Sequence, residues 1–288
     1  MRGPWSPGGG WQSILFSLPS MRSTVVRRPL PVPQPVRRRL GLSRSGMLAL
    51  AAGLSVLAFT TVVFSGVTED VARRNGLAAR DLAHLRSFTR YRSDAFVSVG
   101  NVLSAIGSVA VLGAVAVIAT VVLWRHGLPL VAAVAPGIAL GIAGISTAVG
   151  KTLVTHNHPP LGAHLIPETD ASFPSGHATD ATAVYVTLAL VVAIFVLRRP
   201  LLRCACVLSS ALLAGAVGVS RLVLGVHWPT DVLAGWSLGI SIALVITIAA
   251  SLTPRLADQH GATRNRDPLA RIAGVMTRQR RERNVEAA

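Results

Sequence analysis

Charge is scarce in this chain, and negative charge is scarcer still. Only 14% of the 288 residues are charged, with 12 acidic side chains against 28 basic ones. A soluble domain carries about 25% charged residues, so the balance argues against a soluble enzyme. Cysteine is almost missing. Cys204 and Cys206 are the whole complement, and two residues apart on a helix they point in different directions. That argues against a mutual disulfide or a paired metal grip and leaves them as core fillers. Lysine occurs once, at Lys151; every other basic residue is Arg. The net charge of +16 is not accompanied by any nucleic-acid-binding module, and no internal repeat of the transporter kind is visible.

What fills the chain instead is apolar sequence, 51% of all residues. Runs of about 20 such residues recur, enough to cross a hydrocarbon core of roughly 30 Å. Six spans are expected: Met47–Gly66, a second within Ala95–Trp124, Leu130–Gly150, Ala178–Leu197, Leu201–Val219 and Thr230–Leu252. The fold class is therefore all-α, a polytopic helical bundle. In the third span Gly137, Gly141 and Gly144 read as sites of close helix approach. Residues 1–46 hold eight Arg and no acid and read as a disordered basic tail, with Met21 a second candidate start. Residues 253–288 form another Arg-rich tail. Between the first two spans, Leu82, Leu85 and Phe88 recur at three-residue spacing, as in a short helix on a membrane surface or a solvated loop helix. With both tails inside, the inner segments hold 20 of the 28 basic residues. The positive-inside rule then puts both termini in the cytoplasm and the 67–94, 151–177 and 220–229 loops outside.

Three clusters of polar residues lie in those outer segments. Lys151-Thr-Leu-Val-Thr-His156-Asn157-His158-Pro159 leaves the third span. Pro174-Ser175-Gly176-His177 enters the fourth. Ser220-Arg221-Leu-Val-Leu-Gly-Val-His227-Trp228-Pro-Thr-Asp231 links the fifth and sixth. Each suits a phosphate ester. Lys151 and Arg221 supply positive charge, and Arg can grip phosphate oxygens in a fork. Ser175 and Gly176 sit at a helix start, where free N–H groups and the helix dipole favour an anion. His177 can give a proton to a leaving oxygen. His227 can attack phosphorus, with Asp231 four residues on to fix its tautomer. Such a route needs no metal and no cofactor.

These residues resemble the type 2 phosphatidic acid phosphatase (PAP2) superfamily, the lipid phosphate phosphatases. The family pattern is K-x6-RP, PSGH, then SR-x5-H-x3-D. The second is intact at Pro174–His177 and the third at Ser220, Arg221, His227 and Asp231. The first is present as Lys151-x6-His158-Pro159, with His158 where the family carries Arg. The resemblance spans roughly residues 47–252 and implies a six-helix membrane phosphatase domain. It implies a nucleophile at His227, an orienting acid at Asp231 and an acid at His177. It also implies phosphate binding by Lys151, Ser175, Gly176 and Arg221, with position 158 in the same group. The expected substrate is a lipid phosphate or diphosphate, of polyprenyl diphosphate or phosphatidic acid type, reached from surrounding membrane lipid at the cell membrane.

Other readings compete. A PAP2-like phosphotransferase or a non-hydrolytic lipid binder would share the motifs. A transporter or scaffold would place polar residues mid-span, whereas here the ionisable groups gather at helix ends. Five of eight His lie between residues 151 and 231, but none form an H-x3-H pair, so a zinc site is not expected. Trp228 and Trp236 read as interface anchors, with walling of the pocket as the other reading of Trp228. Asp180 reads as an acid complementing a helix N-terminus, with a hydrogen bond to His177 as its other reading. Because imidazole is a weaker and pH-dependent cation than guanidinium, activity is expected to rise toward mildly acidic pH. His158→Arg should flatten that rise in a pH–rate profile; an unmoved profile would remove His158 from phosphate binding.

Overall fold

In a computed structural model of the chain, residues 44–90, 92–160 and 170–264 are described, with side chains up to residue 253. The tail expected at 1–46 falls outside them except for its last three residues, as do Met21, His164 and residues 265–288. Most of the described residues are helical. The helices are α1 (Arg44–Arg73), α2 (Asp81–Thr89), α3 (Asp94–Ile106), α4 (Val109–Arg125), α5 (Leu130–Ala133), α6 (Ala135–Leu153), α7 (Gly176–Phe195), α8 (Pro200–Val223) and α9 (Pro229–Arg264).

Among the described residues, four helices are long and apolar enough to cross a bilayer: α1, α7, α8 and the Pro229–Thr253 part of α9. A fifth span is formed if α3 and α4, bent by 50° at their junction, count as one. The bend follows from local chemistry. Gly107 ends α3, and Ser108 starts α4 by accepting a hydrogen bond from the Val111 N–H at 3.4 Å. The expected count of six is not reached by this measure. The Leu130–Gly150 segment breaks at Val134, ahead of Pro136, and α6 beyond it is diluted by four Gly and Lys151.

The bundle is built around α7. Two-thirds of its most apolar window is buried (67%), against 6% for α1, and it packs on α6, α8 and α9. Its buried face carries Ala178, Ala181, Ala183, Val184 and Val191 together with Thr179, Thr182 and Thr187. The outer faces of α1, α4 and α8 are instead lined by exposed Leu, Ile, Val and Phe, among them Phe59, Val117, Ile118, Leu208 and Leu212. Large apolar side chains turned outward and small ones inward is the pattern of helices solvated by lipid, where close approach rather than hydrophobic exclusion drives association.

Close approach occurs at glycines other than those expected. A Cβ on Gly137, Gly141 or Gly144 would meet nothing within 4 Å, so these three do not mediate helix packing within the chain. Tight contacts occur at Gly107, which ends α3, where a Cβ would lie 2.3 Å from Val217 Cγ1, at Gly150 of α6, where it would lie 2.6 Å from Pro174 Cδ, and on α8 and α9. A Cβ on Gly239 would lie 2.6 Å from Thr182 Cβ and 2.7 Å from the Thr179 carbonyl oxygen. One on Gly235 would lie 2.9 Å from both Ala178 Cβ and the Ser175 carbonyl oxygen, and one on Gly218 would strike Trp236 Nε1 at 2.4 Å. Trp236 is thus packed inward against α8, where its Nε1–H reaches the Ala214 carbonyl at 3.3 Å; it is not an interface anchor. Cys204 is exposed and Cys206 half-buried, so Cys204 is no core filler, because its stretch of α8 turns away from the bundle.

The short helix expected around Leu82–Phe88 is present as α2. It does not simply float on a surface. Leu85 is buried in a cluster with Ala178, Leu222 and Val232, while Leu82 and Phe88 stay exposed. α2 therefore docks on the end of the bundle formed by α7, α8 and α9. Gly239→Ala should destabilise the protein by about 1–3 kcal/mol through overpacking against the α7 backbone, whereas Gly141→Ala should be neutral or slightly stabilising. Thermal unfolding in detergent reads the difference.

Candidate active site

The end of the bundle under α2 collects residues from four elements. Gly225, with φ +74, turns the chain sharply after α8. Its N–H bonds the Leu222 carbonyl at 3.0 Å and the Val226 N–H bonds that of Arg221 at 3.1 Å, a closing turn that favours glycine. The turn sends Val226 and His227 back into the protein, and Pro229 then starts α9. His227 is 3% exposed and Asp231, one turn into α9, is completely buried.

Asp231 is the most heavily engaged side chain of the site. Its Oδ2 lies 3.3 Å from His227 Nδ1 and accepts the Trp228 backbone N–H at 2.9 Å. Its Oδ1 lies 3.0 Å from Nδ1 of a second histidine, His156. A carboxylate only accepts, so both imidazoles present Nδ1–H to it and His227 keeps a lone pair on Nε2. Burial pushes the His227 pKa below its ordinary value. The Asp231 hydrogen bond and charge oppose that, and nearby Arg221 and His158 add to it. The net effect keeps the imidazole neutral at neutral pH, so a rate that depends on the free base fails only as pH falls below the ordinary histidine range.

The other motif residues close around this pair. Arg221, 2% exposed, donates from Nη1 to Ser104 Oγ at 2.6 Å. His158 donates from Nδ1 to the Val226 carbonyl, and its ring centroid is 5.1 Å from that of His227. Ser175 is the N-cap of α7. Its backbone N–H bonds the Asp231 carbonyl at 3.1 Å, while its buried Oγ has no hydrogen-bond partner. A Cβ on Gly176 would meet only Thr147 Cγ2, at 3.6 Å. His177 follows in the first turn and interacts electrostatically with Arg221, His227 and Lys151. The eight residues singled out in the sequence thus come to one end of the bundle, from the end of α6, the start of α7, the end of α8 and the start of α9. Among the described residues no group of three or more His, Cys, Asp or Glu is placed to hold a metal.

Lys151 reaches the site already engaged. Its Nζ donates to Asp170 Oδ2 and to the Ala171 carbonyl at 2.6 Å, and Asp170 Oδ1 lies 3.5 Å from His158 Nε2. Partial burial raises the Asp170 pKa, but Lys151 and His158 outweigh it and hold the carboxyl below its ordinary value. A carboxylate therefore bridges the two basic groups of the first motif.

Some members of the site went unseen in the sequence. His156 entered only as one residue of the stretch that leaves the third span, yet it holds half of Asp231; its position inside the first motif was the available signal. Asp81 gave none. It is 4% exposed, and its carboxylate accepts the Thr230 N–H at 3.1 Å and the Thr230 hydroxyl at 2.5 Å, tying α2 to the first turn of α9. Burial raises its pKa, only partly offset by the Thr230 bonds. Two expectations need correcting. Trp228 is bound into the site, its Nε1–H donating to the Asn157 carbonyl at 2.7 Å and its ring 6.0 Å from that of His156, so it walls the site and is not an anchor. Asp180 is 5% exposed and lies past the first turn of α7, where it senses the charge of Lys151; it does not complement the helix start at an interface.

Comparison with known proteins bears on this geometry directly. Residues 132–253, which contain every motif residue named above, match the family model described as PAP2 superfamily. This segment is similar to the PAP2 superfamily. The chain is 39% identical over 91 residues to phosphatidylglycerophosphatase B of Bacillus subtilis (30% of this chain, 43% of that protein). It is 39% identical over 79 residues to decaprenylphosphoryl-5-phosphoribose phosphatase of Mycolicibacterium smegmatis (27% and 37%). It is 38% identical over 86 residues to undecaprenyl-diphosphatase of Sulfolobus acidocaldarius (30% and 37%). The matched stretches thus span less than half the length of these curated relatives. The fold is like that of the crystal structure of a transmembrane PAP2 type phosphatidylglycerolphosphate phosphatase from Bacillus subtilis, with a TM-score of 0.58 and 24% identity over 67% of this chain and 93% of that one.

Asp81→Ala should leave two buried donors of Thr230 unpaired and cost about 1–3 kcal/mol. Asp81→Asn should cost less, since burial already favours the neutral carboxyl and the amide oxygen still accepts one bond. Unfolding midpoints of the two variants in detergent test the order.

Proposed function

We propose that this chain is an integral membrane phosphatase that hydrolyses a lipid phosphate monoester or diphosphate through a phosphohistidine at His227. The reading rests most heavily on the buried His227–Asp231 pair beside Arg221, His158 and the unpartnered Ser175 hydroxyl. Neutral His227, with its Nδ1–H directed at Asp231, offers Nε2 to phosphorus. The new N–P bond forms as the P–O bond to the lipid breaks, and the leaving oxygen takes a proton from His177. Asp231 stabilises the positive charge that develops on the ring. Water then attacks the phosphohistidine, His177 takes up its proton, and phosphate leaves. Lys151, Arg221, His158, Ser175 and the N–H groups at the start of α7 hold the phosphoryl oxygens. For the phosphate to use Lys151, it replaces or joins Asp170 on the ammonium.

The catalytic unit on this reading is residues 47–252, with 1–46 and 253–288 as basic tails. The distribution of Arg supports placing the termini on the cytoplasmic side and the site on the outer face. A lipid headgroup then enters from the outer leaflet while its chains stay among the exposed apolar helix faces. The names of the relatives, which include a glycerolipid phosphatase and two polyprenyl ones, support a lipid phosphate or diphosphate as the substrate class.

His227→Asn should lower phosphate release from a lipid phosphate in detergent by at least about three orders of magnitude, with insertion intact. Asp231→Asn should lower it by about two to four. Turnover surviving in His227→Asn would reject the covalent route. The assay is run with and without chelator, and loss of activity with chelator would reject metal independence.

A further inference from the structure

A groove of about 370 Å³ opens between the end of α2, α3 and α8. Its walls follow from helical spacing. Arg92, Phe96, Val99 and Leu103 recur every three or four residues along one face of α3 and the residue run into it, and Val219 and Val223 face them from α8. Arg92 lies just ahead of α3, and the helix runs about 14 Å from Asp94 to Leu103. That is close to half of a hydrocarbon core roughly 30 Å thick, the depth of one leaflet. Phe96 and Val99 are more than half exposed on its rim, so the groove is open sideways, toward lipid.

Its two ends differ. The inner end is apolar. The outer end carries Arg92, just ahead of the α3 N-cap Ser93, with Arg86 and Arg90 exposed at the end of α2. The acids nearby are Asp94, in the first turn of α3 and not part of the lining, and Asp81, buried and bound to Thr230. The local balance is positive at the level where a bilayer presents its headgroups. Arg beside a span attracts anionic headgroups and can fork onto a phosphate.

We propose that this groove binds one anionic phospholipid of the bilayer, distinct from the lipid being hydrolysed, with its phosphate on Arg92 and one acyl chain along α3 and α8. The charge at one end and the leaflet-length apolar floor together select this occupant over a zwitterionic lipid. The site also borders the reaction. Leu103 and Ser220 line the groove, and their immediate neighbours Ser104 and Arg221 are joined by the 2.6 Å hydrogen bond. A chain in the groove therefore supports the α3–α8 contact that holds Arg221.

Native mass spectrometry of the full chain, released from detergent with equal phosphatidylglycerol and phosphatidylcholine, tests this. The wild type should retain one phosphatidylglycerol in preference to phosphatidylcholine. Arg92→Gln should reduce that preference about fivefold without moving the unfolding midpoint measured free of lipid. Val219→Trp, which fills the groove, should reduce retention of both lipids. His227→Asn should retain phosphatidylglycerol like the wild type, which separates this site from the catalytic one. Unchanged preference in Arg92→Gln would overturn the proposal, as would loss of the lipid in His227→Asn alone, since the lipid would then be lodged in the phosphate site. If Val219→Trp does not fold, the comparison of Arg92→Gln with wild type decides.

Discussion

A carboxylate removed completely from water survives only if every oxygen is occupied, and Asp231 meets that demand with His227, His156 and the Trp228 N–H. Much of the site's order descends from this constraint. The three donors come from two segments about 70 residues apart, so burying the acid forces the end of α6 and the α8–α9 loop together. The same bonds give both histidines a defined tautomer. A neutral imidazole with a lone pair on Nε2 is thus a consequence of how a buried charge is satisfied.

The neighbouring layer repeats the principle with weaker forces. Gly235 and Gly239 let α9 press against the α7 backbone, and the Ser175 N–H closes on the Asp231 carbonyl. Asp81 clamps Thr230 from above while Leu85 seals the cluster beneath α2. Helix packing in lipid gains little from hydrophobic exclusion, so these polar ties and small-residue contacts carry the positioning. The exposed Leu, Ile and Val of the outer faces carry solvation by the membrane.

Much of this was legible from residue order. The scarcity of charge and the length of the apolar runs required a membrane bundle. The spacing of Lys151, Pro174–His177 and Ser220–Asp231 pointed to phosphate chemistry, because each motif supplies a group that a phosphoryl transfer uses. Glycine roles were legible only in kind. Gly137, Gly141 and Gly144 have the same spacing logic as true packing glycines, but which face of α6 meets a neighbour depends on the rotation of the helix in the bundle. Trp228, Trp236 and Cys204 were misplaced for the same reason: span boundaries do not reveal the direction a side chain takes. The break at Val134 was also hidden, since a run of apolar residues can hold two helices as easily as one.

Local sequence determined the chemical inventory and the membrane class, because composition, apolar run length and motif spacing are properties of the chain taken in order. Tertiary structure alone decided that His156 shares Asp231, that Asp170 bridges Lys151 and His158, and that Asp81 anchors α9 across 149 positions of sequence. Those contacts join groups that no periodicity relates. They exist because helices of fixed length, packed around α7, end at the same level and leave buried polar atoms that must find one another.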